Sequence, residues 1–390
     1  MTPIYLDYQA TTPLAPEAAE AMRPWLEEKF ANPHSPHRLG REAAAATEVA
    51  RDQVRAALQP RHARDEREGG SRAEREAGGN LFFTSGATEA INWALKGTFS
   101  RLPPSRRRIV TLATEHAAVL DTVEWLGRLG ADVEVLPVGS DGLVNLDFAA
   151  ERITESTGIV AAMLVNNEIG VIQPVARLAG MARACGALFL CDAVQGFGRV
   201  PIPLDACDMV AVSAHKVHGP KGVGALWVRE GVALDPLLHG GGQEGGVRSG
   251  TLSPALCVGF GAAARLLVER AEEDRTHVDR LAAIARERMA GWTLNGSAAE
   301  RYPGNLNLRR PGVDAAGLIA DVRKVAFSAG SACASGSGRP SHALRAIGLS
   351  DAEARSSIRL GFGRYTSEEE LVTALNLINQ AAERQLSLAA

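Results

Sequence analysis

The stretch GALFLCDAVQGFGRVPIPLDACDMVAVSAHKVHGPKGVGALWV, residues 186–228, contains three short apolar runs separated by polar and glycine-rich segments. These runs predict buried β-strands at 188–191, 209–213 and 224–228. Before this stretch, helical patterns alternate with further strand patterns at 81–84, 109–113, 133–136 and 159–165. The alternation predicts βαβ crossovers and therefore an α/β fold, with a mainly parallel sheet that helices cover on both faces.

The pattern changes near residue 253. A long helical pattern at 254–289, a few short strands and a terminal helical pattern at 367–386 predict a smaller α+β domain at the C-terminal end. We expect a large domain over 15–253 and a small domain over 254–390 together with 1–14. Residues 61–79 carry mixed charges and no apolar side chain larger than alanine. This composition predicts a solvated, mobile insertion, with a partner-binding loop as the alternative.

Composition excludes several classes of protein. With 390 residues, of which 46% are hydrophobic, the chain can form a sizeable core, and its net charge of −3 argues against nucleic acid as the main partner. The chain start lacks the apolar segment of a secretory signal, and no apolar run approaches the ~18 residues that span a membrane. The cysteines are odd in number and form no C-x-x-C pair. We therefore expect neither a disulfide framework nor a metal site, and a cytoplasmic location.

Two residues at the ends of predicted strands are candidate functional residues. Lys216 closes the segment Ser-Ala-His-Lys just after the strand at 209–213, although most lysines are simply surface residues. Asp192 closes the strand at 188–191, at the sheet edge where ligands bind in such folds. A carboxylate there can keep the ring nitrogen of pyridoxal phosphate protonated. The plainer interpretation of Asp192 is a helix N-cap.

Other polar groups are predicted at the same edge. The segment TSGATE, residues 84–89, joins a strand to a helix, where free backbone N–H groups can hold a phosphate, although ordinary helix capping has the same pattern. His116 begins a helix and can stack on a cofactor ring or simply lie near the helix cap. Asn166 and Asn167 follow the strand at 159–165.

The cysteines divide into two groups. Four have apolar neighbours and are expected to be buried and inert, namely Cys185, Cys191, Cys207 and Cys257. Cys333 instead lies in a run of small residues, SAGSACASGSG at 328–338, which is typical of a mobile loop. Such a loop can carry a thiolate into a cleft, provided that its pKa is lowered.

Taken together, these segments resemble the cysteine desulfurases of the NifS/IscS type, in the class V aminotransferase group of fold-type I pyridoxal-phosphate enzymes. The resemblance extends over nearly the whole chain. It is carried by YLDYQATTP, TSGATEA, TEHAAVLDT, VNNEIGVIQP, DAVQGFGR, SAHKVHGPKGVGAL, HGGGQEGGVRSGT, SAGSACAS and SSIRLGFGRYT.

The resemblance implies a role for individual residues. Lys216 would bind pyridoxal 5′-phosphate and move the substrate's Cα proton, and Cys333 would be the nucleophile. Asp192 would pair with the ring nitrogen, Gln195 would bond the ring hydroxyl, and His116 would stack on the ring. The implied phosphate contacts are Ala87, Thr88, Ser213, His215 and, from the other subunit of a homodimer, Thr251. Asn167 would contact the cofactor and, with Arg359, would hold the substrate carboxylate.

The implied reaction converts L-cysteine to L-alanine and leaves a persulfide on Cys333. The sulfur would then pass to an acceptor protein for iron–sulfur cluster or other sulfur-cofactor synthesis. Three features depart from the family pattern: the longer 61–79 segment, and Val194 and Gly196 where Thr and Ser are common.

Two other classes of function remain open on the sequence. A selenocysteine lyase or a class V aminotransferase has the same cofactor residues, and transamination does not need the Cys333 loop. A non-enzymatic scaffold for sulfur assembly would keep the fold, but the intact Lys216 and Asp192 argue against it.

Overall fold

The computed structural model describes residues 3–59, 78–329 and 341–389. Most of the predicted insertion at 61–79 and the predicted nucleophile Cys333 therefore lie outside the described residues.

The chain folds into alternating strands and helices. The strands are β1 (Ile4–Tyr5), β2 (Gly79–Thr84), β3 (Arg108–Leu112), β4 (Asp132–Leu136), β5 (Thr157–Met163), β6 (Leu188–Asp192), β7 (Met209–Ser213), β8 (Gly224–Arg229), β9 (Thr293–Leu294), β10 (Asn305–Arg309), β11 (Val325–Ala326) and β12 (Ser357–Gly361). The helices are α1 (Pro16–Glu27), α2 (Arg38–Leu58), α3 (Ala87–Phe99), α4 (Ala117–Arg128), α5 (Leu146–Arg152), α6 (Val175–Ala184), α7 (Pro254–Glu269), α8 (Ala271–Arg288), α9 (Ala315–Asp321), α10 (His342–Ala346), α11 (Asp351–Arg355) and α12 (Glu368–Ala389). Short 3₁₀ turns cover Pro104–Arg106, Ala214–Lys216 and Glu244–Gly246.

Seven strands form the large sheet in the order β2-β8-β7-β6-β5-β3-β4. Pairing is parallel from β4 through β3, β5 and β6 to β7, and β8 is antiparallel to both β7 and β2. The prediction of a mainly parallel α/β sheet is therefore confirmed.

Helices cover both faces of this sheet. Ile91 of α3 and Val119 of α4 belong to the core on one face, and Val54 of α2 and Leu178 of α6 belong to the core on the other. Strands β5 and β7 are buried along their whole length. Continuous apolar runs such as 209–213 arise because both faces of these strands must avoid water.

A second sheet is antiparallel, with the order β12-β10-β9. The chain start joins this part of the molecule, since Ile4 pairs with Val325 in the parallel ladder between β1 and β11. The predicted long helix at 254–289 is broken at Arg270 into α7 and α8. The division of the chain at 253/254 stays a prediction.

Some local predictions were wrong. The strand expected at 159–165 is two residues earlier, at Thr157–Met163. Gly79, assigned to the insertion, lies in β2 opposite Arg229, and a Cβ there would come within 2.5 Å of the Trp227 ring. Cys191, Cys207 and Cys257 are buried as expected, but Cys185 is partly exposed because it lies at the C-terminal end of α6.

Among the described helices, none is both long enough and apolar enough to cross a membrane.

Gly361, the last residue of β12, is in close contact with the N-terminal segment. Its N–H donates to the Leu6 carbonyl at 2.8 Å, and its carbonyl accepts from the Tyr8 N–H at 3.3 Å. A Cβ built on Gly361 would lie 1.7 Å from Gln9 Oε1 and 2.9 Å from the Tyr8 nitrogen. No side chain can therefore replace this glycine unless the N-terminal segment moves.

We predict that Gly361→Ala lowers the free energy of unfolding by about 1–3 kcal/mol, because the added methyl group overpacks the contact. Urea unfolding measures the change. The control is Gly180→Ala on the exposed face of α6, where a Cβ meets no atom within 4 Å. That variant should gain up to about 1 kcal/mol from helix propensity. Equal stability of the two variants would contradict the prediction.

Candidate active site

A cavity of about 660 Å³ lies at the carboxyl ends of β5, β6 and β7. Its other walls are the N-terminal end of α3, the N-terminal residues Gln9 to Thr11, and Arg359 from the second sheet. The edge of a parallel sheet is the usual ligand site in such folds. Ten predicted site residues line this cavity: Ala87, Thr88, His116, Asn167, Asp192, Gln195, Ser213, His215, Lys216 and Arg359.

Asp192 lies at the end of β6 and is 5% exposed. Its Oδ1 accepts the Val194 N–H at 3.0 Å. The alternative of a helix N-cap is wrong, because in the described residues Asp192 is followed by a turn and not by a helix. Burial raises the pKa of Asp192, while the charges of His116 and Lys216 oppose this shift. A cationic group placed beside Asp192 would stabilise its ionised form.

Lys216 ends the 3₁₀ turn Ala214–Lys216, directly after β7. Its Nζ donates to the carbonyl oxygens of Gln9 at 2.5 Å and Ala10 at 2.8 Å. The N-terminal segment therefore holds the amine at the cavity wall. Sequence reasoning quoted this segment but assigned it no role, because its contacts with Lys216 join positions 207 and 206 residues apart.

His215 is held by the same segment. Its Nδ1 lies 3.1 Å from Thr11 Oγ1, and its backbone carbonyl accepts from Thr12 Oγ1 at 3.0 Å. Burial lowers the pKa of His215 to about 4, and the charges of Lys216, Lys221 and Arg199 add to the effect. The imidazole is therefore neutral near pH 7.

The N-terminal end of α3 opens onto the cavity through Ala87 and Thr88. In the described chain, no side chain caps this helix end. Glu89, in the first turn, instead accepts the Ser85 N–H at 2.7 Å and forms an ion pair with Arg248. An uncapped helix N-terminus with free N–H groups favours an anion such as a phosphate.

His116 is itself the N-cap of α4, since its Nδ1 accepts the Ala118 N–H at 3.0 Å. When the ring is neutral, its proton is therefore on Nε2. Sequence reasoning gave no role to the neighbouring Glu115. It is fully buried; one carboxyl oxygen accepts the Met163 N–H at 2.8 Å and the other has no partner in the described residues. Burial raises the pKa of Glu115 well above its usual value.

The two asparagines after β5 have different roles. Asn166 does not line the cavity, because its Nδ2 donates to the Thr114 carbonyl at 2.7 Å and its Oδ1 accepts the N–H groups of Glu168 and Ile169. The sequence predicted both asparagines at this edge of the sheet, but the Asn166 side chain does not reach the cavity. Asn167 lines the cavity.

Arg359 is 1% exposed and extends from β12 into the cavity wall. Its Nη2 donates to Asp7 Oδ1 at 2.7 Å, and its Nη1 donates to the Asn167 carbonyl at 2.9 Å. Its Nε has no partner in the described part of the chain. The guanidinium therefore keeps a buried donor for a further acceptor.

Two predicted site residues are not among those that line the cavity in the described part of the chain. Thr251 is exposed and does not line it. Cys333 lies outside the described residues, but Ser328, just before this segment, donates its N–H to the Arg359 carbonyl and accepts the Arg359 N–H at 2.7 Å. The chain therefore enters that segment next to a cavity-lining residue.

Comparison with known proteins identifies the family. Residues 4–373 match the family described as aminotransferase class V. A relative named cysteine desulfurase IscS, from Rickettsia akari (strain Hartford), is 42% identical over 385 residues, which cover 96% of this chain and 90% of the relative. A solved structure titled NifS-like protein has a TM-score of 0.86 and 33% identity, and the match covers 97% of this chain and 99% of that one.

A second solved structure, titled SspA in complex with cysteine, has a TM-score of 0.78 and 33% identity, and the match covers 93% of this chain and 99% of that one. The chain belongs to the class V aminotransferase family and, within it, to the cysteine desulfurases. The resemblance found in the sequence is therefore confirmed.

We predict that His215 makes the protein less stable in mild acid. The unfolded chain takes up a proton on this histidine near pH 6.5, whereas the folded protein resists protonation down to a pKa of about 4. The free energy of unfolding should therefore fall as the pH drops from about 6.5 to about 4.

Urea unfolding at about pH 7 and about pH 5 measures this loss, which His215→Gln should reduce by about 1–2 kcal/mol. His218, whose pKa is lowered to about 3 by burial, remains in both proteins as an internal reference. A loss of the same size in His215→Gln would contradict the prediction.

Proposed function

We propose that this protein is a cysteine desulfurase that converts L-cysteine to L-alanine and transfers the sulfur, as a persulfide on Cys333, to an acceptor protein. The observation that carries the proposal is the shared cavity of Lys216, Asp192 and the uncapped N-terminal end of α3. The resemblance to proteins named cysteine desulfurase, and to one solved with cysteine, supports the choice of substrate.

Pyridoxal 5′-phosphate is the proposed cofactor, and the donor set of the cavity fits it. Asp192 supplies a buried carboxylate for a ring nitrogen, and the N–H groups of Ala87 and Thr88, with Ser213 and His215, supply neutral donors for a phosphate. Gln195 and His116 also line this cavity. When bound, pyridoxal phosphate supplies an electron sink for the substrate's Cα.

Lys216 is proposed as the amine that holds the cofactor and later moves the substrate's Cα proton. The Gln9 and Ala10 carbonyls fix its Nζ at one wall of the cavity, so the amine would have a defined position for both tasks. Proton transfer by a positioned amine is an established source of catalysis.

Arg359 and Asn167 are proposed to bind the substrate's α-carboxylate. Arg359 lines the cavity and has more N–H donors than its contacts with Asp7 and the Asn167 carbonyl use, and those two contacts fix the orientation of the guanidinium. A charge-assisted bond from a preoriented guanidinium selects for a carboxylate and limits the rotation of the substrate.

Cys333 is proposed to accept the sulfur. Its thiolate forms a bond to the substrate sulfur as the substrate's Cβ–S bond breaks, and Cβ then takes a proton to give L-alanine. Thr251 is proposed to complete the phosphate site of the other subunit in a homodimer, because in its own chain it is exposed and outside the cavity. The proposed location is the cytoplasm, with iron–sulfur cluster or other sulfur-cofactor synthesis as the use of the sulfur.

We predict that borohydride reduction of the protein with pyridoxal phosphate attaches the cofactor to Lys216. Peptide mass spectrometry should find the added mass on the peptide that contains Lys216, and Lys216→Ala should abolish it. Lys221→Ala is the matched control, since Lys221 lines the same cavity and should not carry the label. Labelling that persists in Lys216→Ala would assign the amine to another lysine.

We predict that Cys333→Ala keeps the visible absorbance of the bound cofactor but releases no sulfide from L-cysteine in the presence of a thiol reductant. In the unchanged protein, mass spectrometry after incubation with L-cysteine should find one added sulfur on residues 328–338. Cys257→Ala is the control, because burial raises the pKa of that thiol to about 12. Sulfide release at the wild-type rate from Cys333→Ala would overturn this assignment.

A further inference from the structure

Arg199 is a cationic residue beside the site for which the proposed reaction gives no role. It lies in the turn after β6 and is partly buried, with its guanidinium 5.3 Å from the centre of the Tyr302 ring. Its Nη2 donates to the Lys216 carbonyl at 2.7 Å, and its Nη1 donates to Gln195 Oε1 at 2.5 Å. Within the described residues, no carboxylate lies within ion-pair distance of it.

The contact with Gln195 determines which way the buried amide points. Gln195 Oε1 accepts from Arg199, and Gln195 Nε2 donates to the Gln9 carbonyl at 2.9 Å. In the reverse orientation, the NH₂ group would face the guanidinium donors and the amide oxygen would face a carbonyl oxygen. Both contacts would then be repulsive, so only one orientation of the amide satisfies its neighbours.

This orientation has a chemical consequence for the cavity, which Gln195 lines. The amide oxygen is occupied by Arg199, and Nε2 has a second hydrogen that the Gln9 carbonyl does not use. The side chain can therefore donate a hydrogen bond into the cavity. A donor of this kind stabilises an anionic oxygen on a bound ring.

We propose that Arg199 is a positioning residue that fixes Gln195 as a hydrogen-bond donor to the ring oxygen of the bound cofactor. This inference rests on the proposed function, since it requires pyridoxal phosphate in the cavity. Arg199 itself does not line the cavity, so its effect passes through the Gln195 amide. The same guanidinium also donates a hydrogen bond to the backbone carbonyl of Lys216.

The effect can be measured through the protonation of the cofactor's chromophore. A hydrogen bond donated to the ring oxygen favours the form of the chromophore with one proton fewer. Without Arg199, the Gln195 amide is free to turn, and the chromophore should therefore keep its proton up to a higher pH.

Other titratable or charged groups line the cavity and are unchanged in the variants: Asp192 from β6, His116 at α4, Glu89 from α3, His215, Lys216 and Lys221 after β7, and Arg359 from β12. Glu115 is fully buried and does not line the cavity, and the charge of Asp192 adds to the rise of the Glu115 pKa that burial causes.

The experiment is a pH titration of the visible absorbance of the protein loaded with pyridoxal phosphate. Arg199→Met should raise the midpoint by about one unit. Arg199→Lys keeps a cationic donor and should return the midpoint at least halfway to the wild-type value. In a Gln195→Ala background, Arg199→Met should produce less than half of its original shift, because the amide that it orients is gone.

Two results would overturn the inference while leaving the proposed function intact. One is a wild-type midpoint in Arg199→Met. The other is a shift of full size in the Gln195→Ala background, which would show that the charge acts without the amide. If Arg199→Met does not fold, Arg199→Ala, which also removes the charge and the donor, gives the same comparison. A wild-type protein that forms no chromophore with pyridoxal phosphate would instead overturn the proposed function, and this inference with it.

Discussion

The cavity depends on hydrogen bonds between the N-terminal segment and the turn after β7. The Gln9 carbonyl accepts from both Lys216 and Gln195, and Thr12 bonds the backbone on both sides of Lys216, at His215 and His218. The same segment reaches the second sheet, where Asp7 pairs with Arg359 and Leu6 bonds Gly361. These bonds therefore hold the large sheet, the small sheet and the candidate lysine in one fixed arrangement.

Electrostatics divides the cavity into two ends. Asp192 and the buried Glu115 form an acidic end, where burial raises the pKa of both groups. At the other end, the N-terminal end of α3 and Lys221 favour an anion, and the neutral His215 adds a donor or acceptor without a charge. A ligand with a basic ring nitrogen and a phosphate matches both ends, and its orientation follows from this polarity.

The sequence predicted the parts of the structure that depend on local pattern. Continuous apolar runs located the central strands, and the rule that ligands bind at strand ends singled out Asp192 and Lys216. It did not predict the contacts of Gln9 and Asp7, because each bonds a partner about 200 or more residues away and neither has a local signature. The orientation of the Asn166 side chain could not be predicted either, because it is set by hydrogen bonds from the backbone N–H groups of Glu168 and Ile169 in the turn that follows. Arg359 was identified only through the family resemblance, and the strand β12 that carries it was not predicted.

The cavity walls come from opposite ends of the chain, and this has a consequence for biosynthesis. During translation, the residues around Lys216 leave the ribosome long before Arg359 and the rest of β12, so the nascent chain cannot close the wall that β12 supplies. Until then, the cavity that contains Lys216 lacks the wall that carries Arg359. Any ligand that needs Arg359 can therefore bind only after almost all of the described residues have been synthesised.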